Sequence, residues 1–411
     1  MQLYDINGSY YPSFFYMSLE TNEDISTALD KYTQTFVHEF IHYLQDLILP
    51  YNIRLNLTNL ALFGDIRQSV MEAGELVRPF TKWNENSVLL RDQRKYTLGK
   101  SEFLSNRPCI ESIKKDYFVI PSTGAKVYKY ALMLKQPKKK YHIGAVDMLE
   151  YIAHKIESKH YGVNTYYTPY KTIDYIFDFY QLSDIPVDIR LCIVEYCLYN
   201  DNPIHVLFKD FLDNNFVKDH KNIFVDYNRC YETLLHNTNW TAVGGFNETV
   251  ISKTLRRLEN FREILTNHFN APQFGVIIRW LETISNFVWT KFVDKFVFSD
   301  MFHMSLQEMI DNINDIIDAI GFPLIQNKAN KCISMLPFDD DSLPFLQFYI
   351  LQKFLLHVET KEKSCPIYEL CNANGFICNK SCKVSPCLNV NDSGDCPYSI
   401  FLKSYNLASV F

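Results

Sequence analysis

Residues 36–46 read Phe-Val-His-Glu-Phe-Ile-His-Tyr-Leu-Gln-Asp and contain a His-Glu-x-x-His pattern. Its two histidines, His38 and His42, are four residues apart, so they lie on one face of an α-helix, one turn from each other. In that position their imidazoles can bind a single Zn²⁺ together. Glu39 lies beside the first histidine, where its carboxylate can take a proton from a metal-bound water. This stretch predicts a metal site on a helix.

The apolar residues around the pattern have helical spacing. They form one stripe on the side of the helix opposite the histidines: Phe36, Val37, Phe40, Ile41, Leu44, Leu47 and Ile48. We therefore expect a helix with one face in the core and its histidines at the floor of a cleft. The alternative is a surface helix with two solvated histidines.

Composition favours a packed globular protein. The 411 residues are 47% hydrophobic and 15% aromatic, enough for two or three domains or one large one. A net charge of -6 gives no electrostatic basis for a nucleic-acid partner. No apolar run is long enough for a membrane span, and residues 1–19 lack a secretory signal. We expect a cytoplasmic protein with no membrane partner, whose cysteines are reduced or metal-bound.

Residue periodicity predicts a mainly α fold with a small antiparallel β-sheet, an α+β arrangement. Asn7-Gly8 predicts the turn of an N-terminal hairpin within residues 1–19. A capping box at residues 21–24 opens a helix that Pro50 should end. The remaining expected elements are a helix at 56–80, strands at 117–120, 126–134 and 141–143, a helix at 145–158, and a mainly helical region at 171–356.

A catalytic zinc usually has three protein ligands and one open position for water. The extended metzincin pattern needs Gly at position 45 and His at position 48, and this chain has Gln45 and Ile48. The third ligand should therefore be a carboxylate from a later helix. Glu150, at the flank of the apolar stripe of the 145–158 helix, is the best candidate. Two earlier carboxylates remain alternatives: Glu72 and Glu75.

His38-Glu39-x-x-His42, followed by Glu150 in Leu-Glu-x-x-Ala, resembles the gluzincin zinc metallopeptidases, the thermolysin-like group. The resemblance covers two short helices. It implies that His38, His42 and Glu150 bind a catalytic Zn²⁺ and that Glu39 is the general base for peptide-bond hydrolysis. In that group an Asp four residues after the ligand Glu orients an imidazole, and here that position holds His154.

Other residues are then candidates to orient the ligating imidazoles. These are Asp46, on the metal face of the first helix, together with His154 and Glu157. Gluzincins also use a Tyr or His donor to stabilise the negative charge that develops on the substrate oxygen. The candidates just past the Glu150 helix are His160, Tyr166, Tyr167 and Tyr170.

The C-terminal tail contains six cysteines: Cys365, Cys371, Cys378, Cys382, Cys387 and Cys396. Their density favours thiolate binding of a second Zn²⁺ or an iron–sulfur cluster. Unligated thiols or disulfides are the alternatives. The expected organisation is a zincin-like part at residues 1–170, a helical region at 171–360 and the cysteine-rich tail at 361–411.

Three functions follow from these patterns. The first is a metallopeptidase acting on a peptide or protein substrate. The second is a regulated protease with one protein target and a regulatory partner, because large helical additions surround a small site. The third is a non-catalytic helical binding protein with a structural zinc.

Overall fold

The computed structural model describes residues 8–407 except 101, 105, 106, 137, 164, 166, 215, 221, 237–239, 242–246, 272, 273, 337–342, 377 and 385–395. Helices dominate these residues and the strands form small sheets, which confirms the predicted mainly α fold with a small antiparallel sheet. The helices are α1 (Ile25–Lys31), α2 (Thr33–Ile48), α3 (Pro50–Ala73), α4 (Glu85–Leu98), α5 (Ala145–Tyr161), α6 (Thr172–Phe179), α7 (Val187–Leu198), α8 (Pro203–Val206), α9 (Phe216–Asp219), α10 (Tyr227–Leu235), α11 (Val250–His268), α12 (Gly275–Ile284), α13 (Thr290–Phe292), α14 (Val297–His303), α15 (Leu306–Ile320), α16 (Leu343–Val358), α17 (Tyr368–Ala373), α18 (Ser381–Val384) and α19 (Pro397–Ser404). Short π-helical segments, Leu207–Leu212 and Ser285–Trp289, continue α8 and α12.

The strands form three sheets. They are β1 (Gly8–Tyr11), β2 (Tyr16–Leu19), β3 (Cys109–Val119), β4 (Lys126–Gln136), β5 (Lys139–Ile143), β6 (Trp240–Thr241), β7 (Asn247–Glu248), β8 (Phe322–Asn327) and β9 (Cys332–Met335). The antiparallel sheet β3-β4-β5 contains the strands predicted within residues 117–143. A second sheet, β1-β2-β8-β9, is mixed because β2 pairs in parallel with β8, with Tyr16 opposite Leu324. The β1-β2 hairpin was expected within residues 1–19, whereas the pairing of β2 with β8 was not.

The N-terminal hairpin turns at residues 12–15, so the predicted turn at Asn7-Gly8 is wrong. Gly8 is the first residue of β1, and Asn7 lies outside the described residues. Within the turn, Ser13 and Phe15 adopt positive φ angles of 75° and 49°. The buried Phe15 ring packs edge-on against Trp280, with ring centroids 5.3 Å apart. Tertiary packing therefore decides where this hairpin turns.

The long helix predicted from residue 24 to 49 is two helices. Asp24, rather than Thr21, caps α1 by accepting a hydrogen bond from the Ser26 N–H at 3.2 Å, and the helix breaks at Tyr32. Pro50 ends α2 and is also the first residue of α3. Proline has no N–H group, but the first N–H of a helix has no partner within the helix, so proline is tolerated at this position. Residues 37–48 of α2 are all buried, so α2 is a central helix with no exposed face along this segment.

Helix α5 starts where two backbones touch. A Cβ atom on either Gly99 or Gly144 would collide with the backbone of the other glycine, and Gly99 has a φ of +81°. The Asp147 carboxylate accepts hydrogen bonds from the Gly144 N–H at 3.0 Å and from the Tyr141 hydroxyl at 2.5 Å. Burial raises the pKa of Asp147 to about 7. These contacts fix the start of α5 one turn before Glu150.

A buried ion cluster holds α5 against α6 and α7. Asp174 of α6 accepts from Lys155 of α5 at 2.6 Å and from Arg190 of α7 at 2.9 Å. The Tyr151 hydroxyl donates to the same carboxylate at 3.0 Å. All three charged side chains are buried or nearly so. Removing one of them would therefore leave buried charge that no opposite charge balances.

Most of the buried apolar side chains described between Phe14 and Leu407 form one cluster, and a small second cluster contains Met17, Leu19, Ile25, Ala28 and Ile325. The larger cluster includes residues of all three predicted regions, whose division at residues 170 and 360 stays a prediction. None of the helices within the described ranges is long and apolar enough to cross a bilayer.

Candidate metal centre

Helices α2 and α5 bring the predicted ligands together. The Glu150 Oε2 atom lies 3.3 Å from the His38 Nε2 atom and 3.4 Å from the His42 Nε2 atom. One ligand atom from each of the three residues lies within 4.8 Å of the other two. Among the described residues this is the group with the spacing that a metal ion needs.

These distances fit zinc. Zinc held at about 2.0–2.1 Å by tetrahedrally arranged ligands separates neighbouring ligand atoms by about 3.3 Å. The two measured nitrogen–oxygen separations, 3.3 and 3.4 Å, match that value. Two imidazoles and one carboxylate also form a donor set typical of catalytic zinc, which leaves a fourth position for water.

Each imidazole is oriented through its second nitrogen. His38 Nδ1 lies 3.1 Å from Glu157 Oε2, and His42 Nδ1 lies 2.8 Å from Gln45 Oε1. Gln45 is itself anchored, because its Nε2 donates to the Leu149 carbonyl at 3.1 Å. A proton on each Nδ1 satisfies these acceptors and leaves each Nε2 lone pair free for a metal.

The charges of the group compensate one another. Burial opposes protonation of His38, yet hydrogen bonds to Glu150 and Glu157 raise its pKa well above the usual value. Burial opposes protonation of His42 too, and the charge of Glu150 raises its pKa. Burial disfavours ionisation of Glu150, but the two histidines hold its pKa well below the usual range. The site therefore carries a carboxylate that a cation at the imidazoles would neutralise.

Glu39 lies beside this group but is not part of it. Its side chain is 5% exposed, and burial raises the pKa of its carboxyl group. Strand β1 passes directly over it, since a Cβ atom on Gly8 would lie 2.8 Å from both Cγ and Oε1 of Glu39. A buried carboxylate with a raised pKa is suited to accept and return a proton near neutral pH.

The residues predicted to orient the imidazoles have different positions. Glu157 contacts His38 directly, and His154 Nδ1 lies 3.5 Å from Glu157 Oε2, so Glu157 links His154 to His38. The Asp46 carboxylate instead accepts from the Tyr10 hydroxyl, the Ser13 N–H and the Asn52 amide. Asp46 was expected to orient a ligating imidazole, but it is Gln45 that contacts His42. The signal was its position three residues after His42 on the same helix.

The two histidines are more deeply buried than residues at the floor of an open cleft would be. His38 and His42 are 7% and 9% exposed, because α5 covers the face of α2 that carries them. Glu150 has the most open side chain of the group, at 22%. Access to the centre is therefore from the Glu150 side. The alternative ligands Glu72 and Glu75 are exposed near the end of α3 and do not belong to the group.

One predicted charge-stabilising candidate lies beside the site. The Tyr170 ring is 5.8 Å from the His38 ring and 5.1 Å from the His154 ring. The His160 Nε2 atom instead pairs with the Met301 carbonyl at 3.2 Å. The other two candidates are Tyr167, which packs on Phe103, and Tyr166, which lies outside the described residues.

Five of the six tail cysteines are described, and Cys387 lies outside the described residues. The Cys365 N–H donates to the Cys382 carbonyl at 2.7 Å, so the two segments of the tail meet there. Burial, followed by the neighbouring thiols of Cys365 and Cys378, raises the pKa of Cys371. No three described cysteine sulfurs are close enough together to form a metal group. The second zinc or iron–sulfur cluster therefore stays a prediction.

Comparison of the chain with protein-family models, curated proteins and solved structures finds no match. The likeness to gluzincins therefore depends on the residues of α2 and α5 alone.

Proposed function

We propose that the protein is a zinc-dependent metallopeptidase whose metal is held by His38, His42 and Glu150. The observation that carries the proposal is the convergence of two Nε2 atoms on one carboxylate oxygen at 3.3 and 3.4 Å. The opposite nitrogens are hydrogen-bonded to Glu157 and Gln45, so each Nε2 is the nitrogen left to bind a metal once it has lost its proton.

Zinc in this site would supply Lewis acidity, lowering the pKa of a bound water and polarising the scissile carbonyl. Glu39 would act as the general base that takes a proton from the attacking water. When the carbon–nitrogen bond breaks, Glu39 would return the proton to the leaving amine. The buried position of Glu39 favours both proton transfers. Burial raises the pKa of Glu39 and so brings it closer to the pKa values of the attacking water and the leaving amine.

Strand β1 provides a way to present a peptide. It pairs with β2 on one edge and with no described strand on the other. An extended peptide can add to a free edge through backbone hydrogen bonds, which are independent of side-chain sequence. Gly8 of β1 touches Glu39, so a peptide on this edge would lie beside the general base. The sheet β1-β2-β8-β9 therefore has its edge strand beside Glu39.

A single preferred protein target, recognised with the help of a regulatory partner, remains part of the proposal. The near-complete burial of the histidines favours it, because a site open mainly at Glu150 would admit few substrates. Cys192, Cys197 and Cys230 are buried free thiols, which fits the reducing conditions of a cytoplasmic setting.

The test is hydrolysis of a peptide library by the zinc-loaded full chain and by its Glu39→Gln variant. We expect cleavage by the native chain and none by the variant, with equal zinc content in both. Cleavage by Glu39→Gln at the native rate would reject the mechanism. Zinc binding without cleavage of any peptide by the native chain would favour the alternative, a non-catalytic binding protein with a structural zinc.

A further inference from the structure

A second site is indicated by a large cavity away from the metal centre. Its volume is about 810 Å³, within the range of small-molecule sites, and none of its described lining residues is a metal-centre residue. Its walls come from α3, α4, the ends of β4 and β5, and α16. Elements far apart in sequence thus enclose one concave space.

The walls are strongly cationic. Five cationic side chains line the cavity: Arg91, Arg94, Lys95, Lys100 and Lys129. Two carboxylates, Asp92 and Glu359, are also present, and Glu359 pairs with Arg91 at 3.1 Å on the rim. The excess of positive charge is notable because the chain as a whole carries -6. Such charge focused in a cavity attracts small anions.

Several of these cations lie close enough together to repel one another. Burial and then the charges of Lys140, Lys95 and Lys100 lower the pKa of Lys129. Burial and the charge of Lys129 likewise lower the pKa of His142 on the adjoining strand. A bound anion would relieve this repulsion.

Arg94 is the deepest of these cations. Its Nη1 donates to Asn59 Oδ1 at 2.9 Å, and no described carboxylate forms an ion pair with it. Burial lowers the pKa of Arg94, which shows that the guanidinium is partly withdrawn from water. A partly desolvated guanidinium that forms no ion pair can donate to a phosphate or carboxylate through two parallel hydrogen bonds.

The rest of the lining is apolar or aromatic. Phe14, Leu62, Leu98 and Leu355 contribute apolar surface, and Tyr96 lies under the Lys129 ammonium at 5.2 Å from the ring centroid. We propose that this cavity binds a small organic molecule that carries two or more phosphate or carboxylate groups. This site is independent of the proposed peptidase.

The experiment is titration calorimetry of the zinc-loaded full chain with sodium tripolyphosphate and, separately, with sodium citrate, at low salt. Zinc content is measured before and after, because both probes also bind zinc. We expect saturable binding of at least one probe at a single site. The Arg94→Met variant should bind about tenfold more weakly, the loss of one charge-assisted contact.

A second cavity variant distinguishes a loss of binding from a failure to fold. Lys95 and Lys100 are exposed on the rim, so the double variant Lys95→Met/Lys100→Met should fold normally and still bind about tenfold more weakly. The matched control, Lys218→Met/Arg229→Met, removes two exposed positive charges outside the cavity and should bind like the native chain. The probe that binds identifies the acidic group. No saturable binding of either probe, or equal weakening in the control, would overturn the proposal.

Discussion

Replacement of Glu157 tests how the centre is built, because this residue contacts a ligand without being one. Its Oε2 atom lies 3.1 Å from His38 Nδ1, and its side chain is 11% exposed. Residues that orient zinc-binding imidazoles contribute about 10- to 100-fold to metal affinity, or about 1.4–2.8 kcal/mol. Glu157→Gln keeps an acceptor oxygen but loses the charge, so we expect about a tenfold loss. Glu157→Ala removes the acceptor, so we expect about a hundredfold loss.

The assay is competition for zinc between the folded protein and a chromophoric chelator at constant pH. Two neighbouring carboxylates provide matched controls. Glu150→Gln should lose zinc almost entirely, whereas Glu39→Gln should bind zinc like the native chain. The reasoning is refuted if Glu157→Ala, folded by circular dichroism, binds zinc as tightly as the native protein. It is refuted equally if Glu157→Ala loses as much affinity as Glu150→Gln, since Glu157 would then be a ligand.

Three further predictions concern other parts of the structure. Gly8→Ala places a Cβ atom 2.8 Å from Glu39 and should lower kcat/KM about 10- to 100-fold with zinc content unchanged, because the base must move. Gly64→Ala, which meets no atom within 4 Å, is the matched control, and an unchanged kcat/KM in Gly8→Ala would contradict the placement of β1. Asp174→Ala leaves the buried positive charges of Lys155 and Arg190 without their carboxylate. We expect the free energy of unfolding, measured in urea, to fall by about 3–5 kcal/mol. A loss under about 1 kcal/mol would show that the cluster is not buried in solution. Zinc binding should release about one proton or more near neutral pH and weaken as the pH falls, because both histidines have raised pKa values before the metal binds. Calorimetry in buffers of different protonation enthalpy measures that release, and its absence would contradict the predicted protonation of the metal-free site.

The metal group could be predicted because its signal is local. The spacing of His38 and His42 fixes their shared helix face, and the three-ligand requirement directs attention to a carboxylate on a later helix. Glu150 was selected by its position at the flank of an apolar stripe, and the structure places it against both histidines. The mainly α fold and the antiparallel sheet followed from periodicity in the same way.

What could not be predicted depends on contacts between distant segments. The parallel pairing of β2 with β8 joins strands from opposite ends of the chain, and no local pattern marks it. The turn at residues 12–15 is set by the packing of Phe15 against Trp280 rather than by turn propensity. Gln45 was missed because a carboxylate, Asp46, is the more usual partner of a ligating imidazole.

The cationic cavity could not be predicted from the sequence either. Its five cations are spread over α4, the segment after it and β4, and only the fold places them around one space. The sequence contains a more obvious basic run at residues 135–140, and Lys140 of this run acts on the cavity by lowering the pKa of Lys129.

The most direct test of the metal centre is the zinc content of the purified full chain and of its His38→Ala variant, measured by mass spectrometry of the metal. Removing one of three ligands should cost the variant one zinc per chain relative to the native protein, whether or not the tail holds another. Equal zinc content in both proteins would contradict the assignment of His38, His42 and Glu150 as a zinc site.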